Sequence, residues 1–261
     1  MADVAQPNRT YWNETADVPA FPRLSGDLDV DVAVIGGGIV GVTTARLLKD
    51  QGLKVAVIEA RRVGRQVTGK STAKMTSQHG LLYQTLESKF GEDKARLYAE
   101  AQEAGIGRIL QLAAQYGIDA DIEPMPAFVW TDDESWVSKL EKEVELARRL
   151  GLPASFVRGD IGLPFAVLAA MLWDDQAQFH PVKYVAGLAA TIPGDGSHVF
   201  EETPAIDVRD ASPCVVDTAH GPLTADRVLL CTHQPFLLKG FYYARMHLKR
   251  SYALGVRLAG P

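Results

Sequence analysis

Cysteine is scarce in this sequence, which contains two such residues, Cys214 and Cys231, among 261. A chain of this length can bury a core without disulfide bonds, and so few thiols fit a reducing compartment. The first ten residues also lack the apolar core that a signal peptide requires. We therefore expect a cytoplasmic protein.

Excess positive charge is also absent. The formal net charge is −5, and the two basic clusters, Arg61-Arg62 and Lys249-Arg250, are short. A polyanion needs an extended basic surface to hold it. We therefore do not expect a nucleic acid as partner.

Long apolar runs are missing too. The longest, Ile161–Trp173, is interrupted by Pro164 and is followed by two aspartates. It is too short to cross a bilayer, so no membrane span is expected, and we interpret the run as a buried strand or core segment. Hydrophobic residues make up 47% and charged residues 23%, which is typical of a chain that buries a globular core.

What the sequence does contain is a glycine-rich turn, GGGIVG, at residues 36–41. An apolar strand is predicted before it at 31–35 and a helix after it at 39–51. A second predicted strand, 53–59, ends in Glu59, which comes 23 residues after Gly36. Strand, G-x-G-x-x-G, helix and a carboxylate about 20 residues onward form the dinucleotide-binding βαβ pattern.

Each glycine of this pattern has a physical task. Gly36 permits a tight turn, Gly38 lets the main chain approach a pyrophosphate, and Gly41 lets the helix pack against the strand. The first helical residues, Ile39 and Val40, offer main-chain N–H groups and the positive end of the helix dipole to an anion. The alternative is a glycine-rich turn that binds no ligand.

Glu59 extends the predicted site to the sugar. A carboxylate there accepts hydrogen bonds from ribose hydroxyls and repels a 2′-phosphate, which favours FAD or NAD over NADP. We assign the neighbouring Ala60 and Arg61 to the same cofactor site.

A competing motif follows at residues 64–71, GRQVTGKS, which matches the P-loop pattern G-x-x-x-x-G-K-[ST]. A P-loop joins a strand directly to a helix, whereas three residues, 61–63, separate this loop from the predicted strand. The residues that follow, 72–80, are a poor start for a helix. We interpret the match as a coincidence; tight MgATP binding without flavin would reverse this preference.

Four stretches carry a family resemblance: VAVIGGGIVG at 32–41, TGKSTAKMTSQHG at 68–80, DDQAQFHP at 174–181 and VLLCTHQPF at 228–236. With them the chain resembles the D-amino-acid-oxidase-like FAD-dependent oxidoreductases, and within them a bacterial subgroup that often carries a C-terminal Rieske iron–sulfur domain. The resemblance implies FAD as the cofactor.

The resemblance also implies further cofactor contacts. The loop after the second strand lies along the pyrophosphate and flavin in that family, a role that falls here on Ser71, Thr72, Ala73 and Lys74. A later strand at Ala205-Ile206 would pass the adenine, and the strand end at Cys231-Thr232-His233 would close over the cofactor. The alternative for Ser71 and Thr72 is simple turn capping.

The implied fold is α/β, a Rossmann-like FAD/NAD(P)-binding domain interrupted by an α+β substrate domain. The expected division is an extended N-terminal arm at 1–28, the FAD-binding domain at 29–80 and 190–240, and a partial substrate domain at 81–189 and 241–261. Within the partial substrate domain, the surest helix is predicted over Glu134–Leu150, where apolar residues recur at steps of three and four.

The implied reaction is hydride transfer to flavin N5 from a carbon bearing an amine or a hydroxyl. The substrate would be a small amine, amino acid or polyol, and the electrons would pass to oxygen or to a redox carrier. The sequence does not mark any residue as catalytic. For His79, Lys74 and His180, a structural or solvent-exposed role explains the residue at least as well as a catalytic role. Arg245, Arg250 and Arg257 could each pair with a substrate carboxylate, and the sequence does not choose among them.

Two departures from the family qualify these expectations. Relatives continue beyond residue 261 with a flavin-contacting segment, so the chain looks partial. An alternative is therefore an incomplete FAD-binding module that needs a C-terminal segment or a partner chain. A Rieske centre needs C-x-H and C-x-x-H, and Cys231-Thr232-His233 supplies only the first, so no metal site is expected.

Overall fold

The computed structural model describes residues 9–237, 239–247 and 249. Its largest sheet has six strands, which are, from one edge to the other, β10 (Ala205–Arg209), β11 (Cys214–Thr218), β12 (Leu223–Leu230), β1 (Leu28–Ile35), β2 (Val55–Ile58) and β9 (His198–Phe200). Strands β12, β1, β2 and β9 are parallel, and β10 and β11 continue the sheet as antiparallel neighbours.

The central strand β1 is buried on both sides of the sheet, as its continuous apolar sequence predicts. Val32 and Val34 face one core, while Ala33 and Ile35 face the other. The first of these cores is covered by α2 (Ile39–Asp50) and α6 (Pro181–Ala190), which also pack against each other.

Helix α6 begins where the sequence favours a helix start. Pro181 occupies its first turn, and the His180 side chain caps it by accepting a hydrogen bond from the Lys183 N–H. All of its residues except Ala190 fall in the range 81–189 that we predicted for the substrate domain. The packing on α2 instead places α6 with the six-stranded sheet, because its apolar face completes the core on that side.

A second core lies between three helices and an antiparallel sheet. The helices are α3 (Leu82–Phe90), α4 (Glu92–Gln115) and α5 (Glu134–Arg149), and the sheet order is β5 (Ala127–Thr131), β7 (Ala169–Trp173) and β6 (Ala154–Arg158). Val137, Leu140, Val144 and Ala147 are all buried, which confirms the predicted apolar face of α5.

A third, small sheet of three strands contributes Met75 and Ala177 to the first core. It consists of β3 (Lys74–Met75), β8 (Ala177–Gln178) and β4 (Glu123–Pro124). The described residues include two 3₁₀ helices. Thr68–Lys70 lies within the loop 64–71, and Lys239–Arg245 follows β12. The parallel sheet with its helices confirms the predicted α/β class.

Two sequence-based expectations need correction. The N-terminal arm is not wholly extended, because Thr10 caps a short helix, α1 (Tyr11–Thr15), by accepting a hydrogen bond from the Asn13 N–H. The apolar run 161–173 is buried strand only over β7. In its first half Leu163 and Phe165 are 37% and 49% exposed, since Gly162 and Pro164 keep that part out of the sheet.

Some predicted residues lie in the part of the chain that the structure does not describe. Arg250 and Arg257, which were candidates to pair with a substrate carboxylate, lie outside the described residues. Among the helices that the structure describes, none combines the length and the apolar character that crossing a membrane demands.

Candidate cofactor site

A crevice of about 650 Å³ opens at the carboxyl ends of the parallel strands β12, β1 and β2. In open α/β sheets this edge is where ligands bind. The lining residues come from the glycine turn, the end of β2, the loop that follows β2, β10 and the segment after β12, and they are Ile35–Val40, Ile58–Ala60, Arg62, Gly64, Gln66–Thr68, Ala205, Cys231–His233 and Phe236. We call this cavity the crevice.

The floor of the crevice is main chain that admits no side chain. Gly36 has φ +117°, and a β-carbon there would lie 2.7 Å from the Cys231 carbonyl oxygen. A β-carbon on Gly41 would lie 1.9 Å from the Gly36 carbonyl oxygen. Both contacts are far below van der Waals distance, so glycine at 36 and 41 lets strand, turn and helix close together.

Gly38 is different, because the space beside it is open. A β-carbon there would meet only the Thr68 Oγ1, at 3.4 Å. Gly38 is also the N-cap residue of α2 and has no side chain to occupy the helix end. The bare main chain at Gly38 therefore faces the cavity, as an approaching phosphate would require.

The amino end of α2 points into the crevice through Ile39 and Val40. The Ile39 N–H donates a hydrogen bond to Thr68 Oγ1 at 3.1 Å, so a hydroxyl from the following loop substitutes for the missing side-chain cap. The Val40 side chain is 62% exposed, although it stands in a well-packed helix. The helix dipole gives this end of the crevice a positive potential suited to an anion.

Glu59 stands at the end of β2 with both carboxylate oxygens fixed. Its Oε2 accepts from the Gly37 N–H at 2.8 Å, and its Oε1 accepts from the Arg61 N–H at 2.9 Å. An ionised carboxylate has about four acceptor positions, so lone pairs on both oxygens remain for further donors. The main-chain bonds hold the carboxylate in place beside the crevice.

The chain beyond Glu59 is anchored by a buried acid, Glu201, which is 2% exposed. Its Oε1 accepts from the Val63 N–H at 2.8 Å, and its Oε2 accepts from the Phe21 N–H at 3.2 Å. The Arg62 side chain forms an ion pair with the same Oε2, at 2.7 Å. Arg62, which lines the crevice, is thereby held at its rim.

The structure brings together only part of the predicted site. The predicted residues that line the crevice are Gly36, Gly38, Ile39, Val40, Glu59, Ala60, Ala205, Cys231, Thr232 and His233. Those that do not line it are Gly41, Arg61, Ser71, Thr72, Ala73, Lys74 and Ile206. Gly41 packs against the Gly36 carbonyl group behind the turn. The Arg61 N–H donates a hydrogen bond to Glu59. Ile206 is 61% exposed, and its neighbour Ala205 lines the crevice instead.

The segment 71–74 shows the turn capping that was the alternative for Ser71. The Ser71 Oγ accepts a hydrogen bond from the Ala73 N–H at 3.0 Å. Ala73 is buried and has φ +62°, and Lys74 is exposed in β3, where it pairs with Gln178. Thr72 is exposed.

Sequence reasoning missed several lining residues, notably Gln66, Val67, Thr68 and Phe236. Thr68 had a signal, because it lies within the stretch 68–80 used for the resemblance. The fit of its hydroxyl to the Ile39 N–H depends on the path of the loop, which no local pattern in the sequence specifies.

The structure does not form a P-loop at residues 64–71, in agreement with the interpretation of the match as a coincidence. The loop 64–71 does not lead into an α-helix: Ser71 is extended at φ −65° and ψ 153°, and the short strand β3 follows. The Gly64 N–H donates a hydrogen bond to the Gly37 carbonyl oxygen at 2.9 Å, so it is not free to bind a phosphate. The loop instead forms one wall of the crevice built on the first glycine motif.

The histidines that were considered have structural partners. His79 is exposed, and its Nε2 lies 3.3 Å from the Gln102 Oε1. His180 is 2% exposed and caps α6. Arg245, which was considered for a substrate carboxylate, is the last residue of the 3₁₀ helix Lys239–Arg245 and is exposed. The Cys231 thiol is partly buried, and this burial raises its pKa.

Within the described ranges, no cluster of three or more His, Cys, Asp or Glu side chains is suited to hold a metal ion.

A glycine turn at the carboxyl edge of a parallel sheet, with a fixed carboxylate on the next strand, defines a dinucleotide-binding protein of the Rossmann-like class. The chain belongs to the FAD dependent oxidoreductase (DAO) family, whose model matches residues 31–258. This membership confirms the predicted family and the predicted cofactor, FAD.

Curated relatives extend the likeness over nearly the whole chain. The Bacillus subtilis protein YhfW, whose name assigns it provisionally to the Rieske 2Fe-2S iron-sulfur proteins, is 36% identical over 250 residues, which are 95% of this chain and 49% of that protein. The gamma-glutamylputrescine oxidoreductase of Escherichia coli is 28% identical over 85% of this chain and 53% of that protein. The chain thus spans about half the length of the curated relatives it matches.

Solved structures show the same fold. Glycine oxidase from Geobacillus kaustophilus superposes with a TM-score of 0.60 at 22% identity, over 78% of this chain and 55% of that one. L-amino acid deaminase from Proteus vulgaris superposes with a TM-score of 0.63 at 19% identity, over 82% of this chain and 50% of that one.

Proposed function

We propose that this chain forms the cofactor-holding half of a flavoenzyme that oxidises a C–H bond next to an amine in a small amine or amino acid. The observation that carries the proposal is the crevice, in which bare main chain at Gly38 and the amino end of α2 face the fixed carboxylate of Glu59. Family membership supplies FAD as the group that fits it.

The residues present suit the adenosine diphosphate part of FAD. The main-chain N–H groups of Gly38 and Val40 would hold the diphosphate, where the open space beside Gly38 admits close approach, while the Ile39 N–H stays bonded to Thr68 Oγ1. Glu59 would accept from the ribose hydroxyls with its remaining lone pairs. Ala60 lines the same corner, and Arg61 contributes through the N–H that fixes Glu59.

The remaining assignments extend the site towards the flavin. We propose Thr232 and the strand of Ile206 for the wall of the crevice, with Ala205 as the residue that lines it. We retain Ser71, Thr72, Ala73 and Lys74 as the flavin-side segment, since they directly follow the crevice wall at Thr68. Thr68 joins the proposed set because its hydroxyl already contacts the amino end of α2.

When bound, FAD supplies a hydride acceptor at N5, which is the redox chemistry of the reaction. The protein's own residues bind and orient the cofactor. An amine or amino acid is favoured over a polyol by what the relatives act on, as their names state: gamma-glutamylputrescine, glycine and L-amino acids. Oxygen or an iron–sulfur carrier would take the electrons, the second being suggested by the Rieske relative.

The test is the absorption spectrum of the purified chain together with the mass of the cofactor released on denaturation. We expect a yellow protein that releases FAD, and anaerobic addition of gamma-glutamylputrescine, glycine or another amino acid should bleach the flavin absorbance. A colourless protein that does not take up added FAD would overturn the proposal. Bound FAD that no amine or amino acid reduces would retain the cofactor and remove the substrate class.

A further inference from the structure

The loop 64–71 has two sides with different neighbours. Gly64, Gln66, Val67 and Thr68 line the crevice on one side. The other side is covered by residues 9–16, which include α1 and which we call the arm segment. The family model matches from residue 31 onward, so the arm segment precedes the part of the chain that the model covers.

The arm segment binds the main chain of the loop at three separate carbonyl groups. Thr10 Oγ1 donates to the Gly69 oxygen at 2.6 Å, and Trp12 Nε1 donates to the Ser71 oxygen at 2.9 Å. Asn13 Nδ2 donates to the Arg65 oxygen at 3.3 Å. The contacts therefore span the loop from one end to the other.

Contacts also run from the loop to the arm segment. The Arg65 guanidinium donates to the carbonyl oxygen of Asn13 and, at 3.4 Å, to that of Ala16. Gly69 is matched to the arm segment by shape, since a β-carbon there would lie 2.4 Å from Asn13 Oδ1. Loop and arm segment thus fit each other closely on the side away from the crevice.

The arm segment is itself fastened by His180, which is 2% exposed. His180 Nδ1 accepts from the Lys183 N–H at 3.2 Å, so this nitrogen carries no proton. Its Nε2 lies 3.0 Å from Thr15 Oγ1, whose own hydroxyl donates to the Tyr11 carbonyl oxygen at 2.7 Å. Nε2 must then be the donor, and the geometry requires the neutral imidazole with its proton on Nε2.

We propose that the arm segment is a positioning element for the cofactor loop, fastened by neutral His180, so that protonation of His180 releases the arm segment and weakens FAD binding. This inference rests on the proposed function, because it assumes that FAD occupies the crevice. A proton on Nδ1 would turn an acceptor into a donor facing the Lys183 N–H. Both the cap of α6 and the seat of the arm segment would be disturbed at once.

The groups around His180 set the pH range. Burial lowers the pKa of His180 below its ordinary value of 6.5, and the Lys183 ammonium lowers that pKa further, while the Asp121 carboxylate opposes the shift. Tyr11 from α1 and Glu123 from β4 also face the pocket beside His180. A histidine with a lowered pKa in the folded state contributes stability that is complete above about pH 6.5 and declines as the pH falls below it.

The experiment measures the dissociation constant of FAD by flavin fluorescence between about pH 5 and pH 8. Three variants of the full chain test separate links: Trp12→Phe keeps the ring and removes the N–H to Ser71, Thr15→Val removes the acceptor of His180, and His180→Asn retains a helix-capping side chain that does not titrate. Glu14→Gln is the control, since Glu14 is an exposed residue of α1 paired with Arg9.

We expect Trp12→Phe to weaken FAD binding about tenfold at pH 8, and Glu14→Gln to leave it unchanged. The wild-type chain should lose affinity below pH 6.5. Thr15→Val and His180→Asn should bind more weakly at pH 8 and lose most of that acid-dependent decline. Amide hydrogen exchange of residues 64–71 should be faster in Trp12→Phe than in Glu14→Gln.

The outcomes separate this inference from the proposed function. If the wild-type chain binds no FAD, the proposed function fails. If it binds FAD and Trp12→Phe matches Glu14→Gln in affinity and exchange, the positioning role is overturned. If His180→Asn and Thr15→Val keep the wild-type pH profile, the protonation switch is overturned.

Discussion

Gly36 and Gly41 touch across the turn that joins β1 to α2: a β-carbon on Gly41 would lie 1.9 Å from the Gly36 carbonyl oxygen. The amino end of α2 can therefore approach the strand only if residue 41 has no side chain. This close approach directs the first turn of α2 into the crevice, where the N–H groups of an anion site are needed. The packing of α2 on the turn therefore requires the spacing of the glycines as much as ligand binding does.

Gly41→Ala should separate α2 from the turn. We expect a loss of about 1–3 kcal/mol in the free energy of unfolding, because an extra carbon is forced against backbone, together with loss of FAD binding. Urea unfolding and flavin titration measure the two effects. Gly105→Ala is the matched control: nothing lies within 4 Å of its added carbon in α4, so it should stabilise the helix by about 0.5–1 kcal/mol. Equal stabilities for the two variants would contradict the packing role of Gly41.

Glu59→Gln should weaken FAD binding without unfolding the protein. One of the two main-chain donors, the Gly37 or the Arg61 N–H, would then face an amide NH₂ group instead of an oxygen, and the ribose would lose a charged acceptor. We expect about a tenfold loss of affinity, measured by flavin fluorescence. Glu100→Gln, on the exposed face of α4, is the control. Unchanged affinity in Glu59→Gln would remove Glu59 from the proposed site.

The nucleotide-binding unit was predictable from sequence because its signals are local. The apolar strand, the glycine turn and the terminal carboxylate of β2 lie within about thirty residues, and each has a backbone reason for its position. The amphipathic helix α5 was predictable for the same reason, since apolar residues at helical spacing indicate which face of the helix is buried. The structure reproduces both, with boundaries that differ by up to three residues.

What sequence could not supply was contact between distant segments. Nothing near Thr68 indicates that its hydroxyl meets Ile39, and nothing near residue 10 indicates that a short helix forms there and covers the loop 64–71. The P-loop match shows the converse, because the sequence pattern is satisfied while the α-helix that a P-loop requires is absent. Long-range packing decides these features, and a single sequence does not display it.

Gly187→Ala should destabilise the protein although it replaces glycine in a helix. The added carbon on α6 would lie 2.6 Å from Ile118 Cγ2. We expect a net loss of about 1–2 kcal/mol, the clash exceeding the gain in helix propensity. In an Ile118→Ala background the clash disappears, so the same substitution should instead stabilise by up to about 1 kcal/mol. A change of the same sign in both backgrounds would contradict this account.

Glu143 should contribute far more to stability than its neighbour Glu141 on the same helix. Glu143 is fully buried, with an exposure of 0%, and its oxygens accept from the Tyr83 N–H at 2.7 Å and the Gln84 N–H at 3.0 Å. These donors belong to the first turn of α3, whose own N-cap residue, Leu81, makes no side-chain cap. A carboxylate from α5 therefore caps α3 across the second core.

Glu143→Ala leaves those donors buried without an acceptor and should lower the free energy of unfolding by about 2–3 kcal/mol. Glu141→Ala, which changes an exposed residue by the same substitution, should stay within about 0.5 kcal/mol of the wild type. Urea unfolding followed by circular dichroism measures both. FAD affinity should be unchanged in Glu143→Ala at temperatures where the protein is folded, since the crevice lies on the other core. Equal destabilisation by the two variants would show that α3 does not depend on its cap from α5.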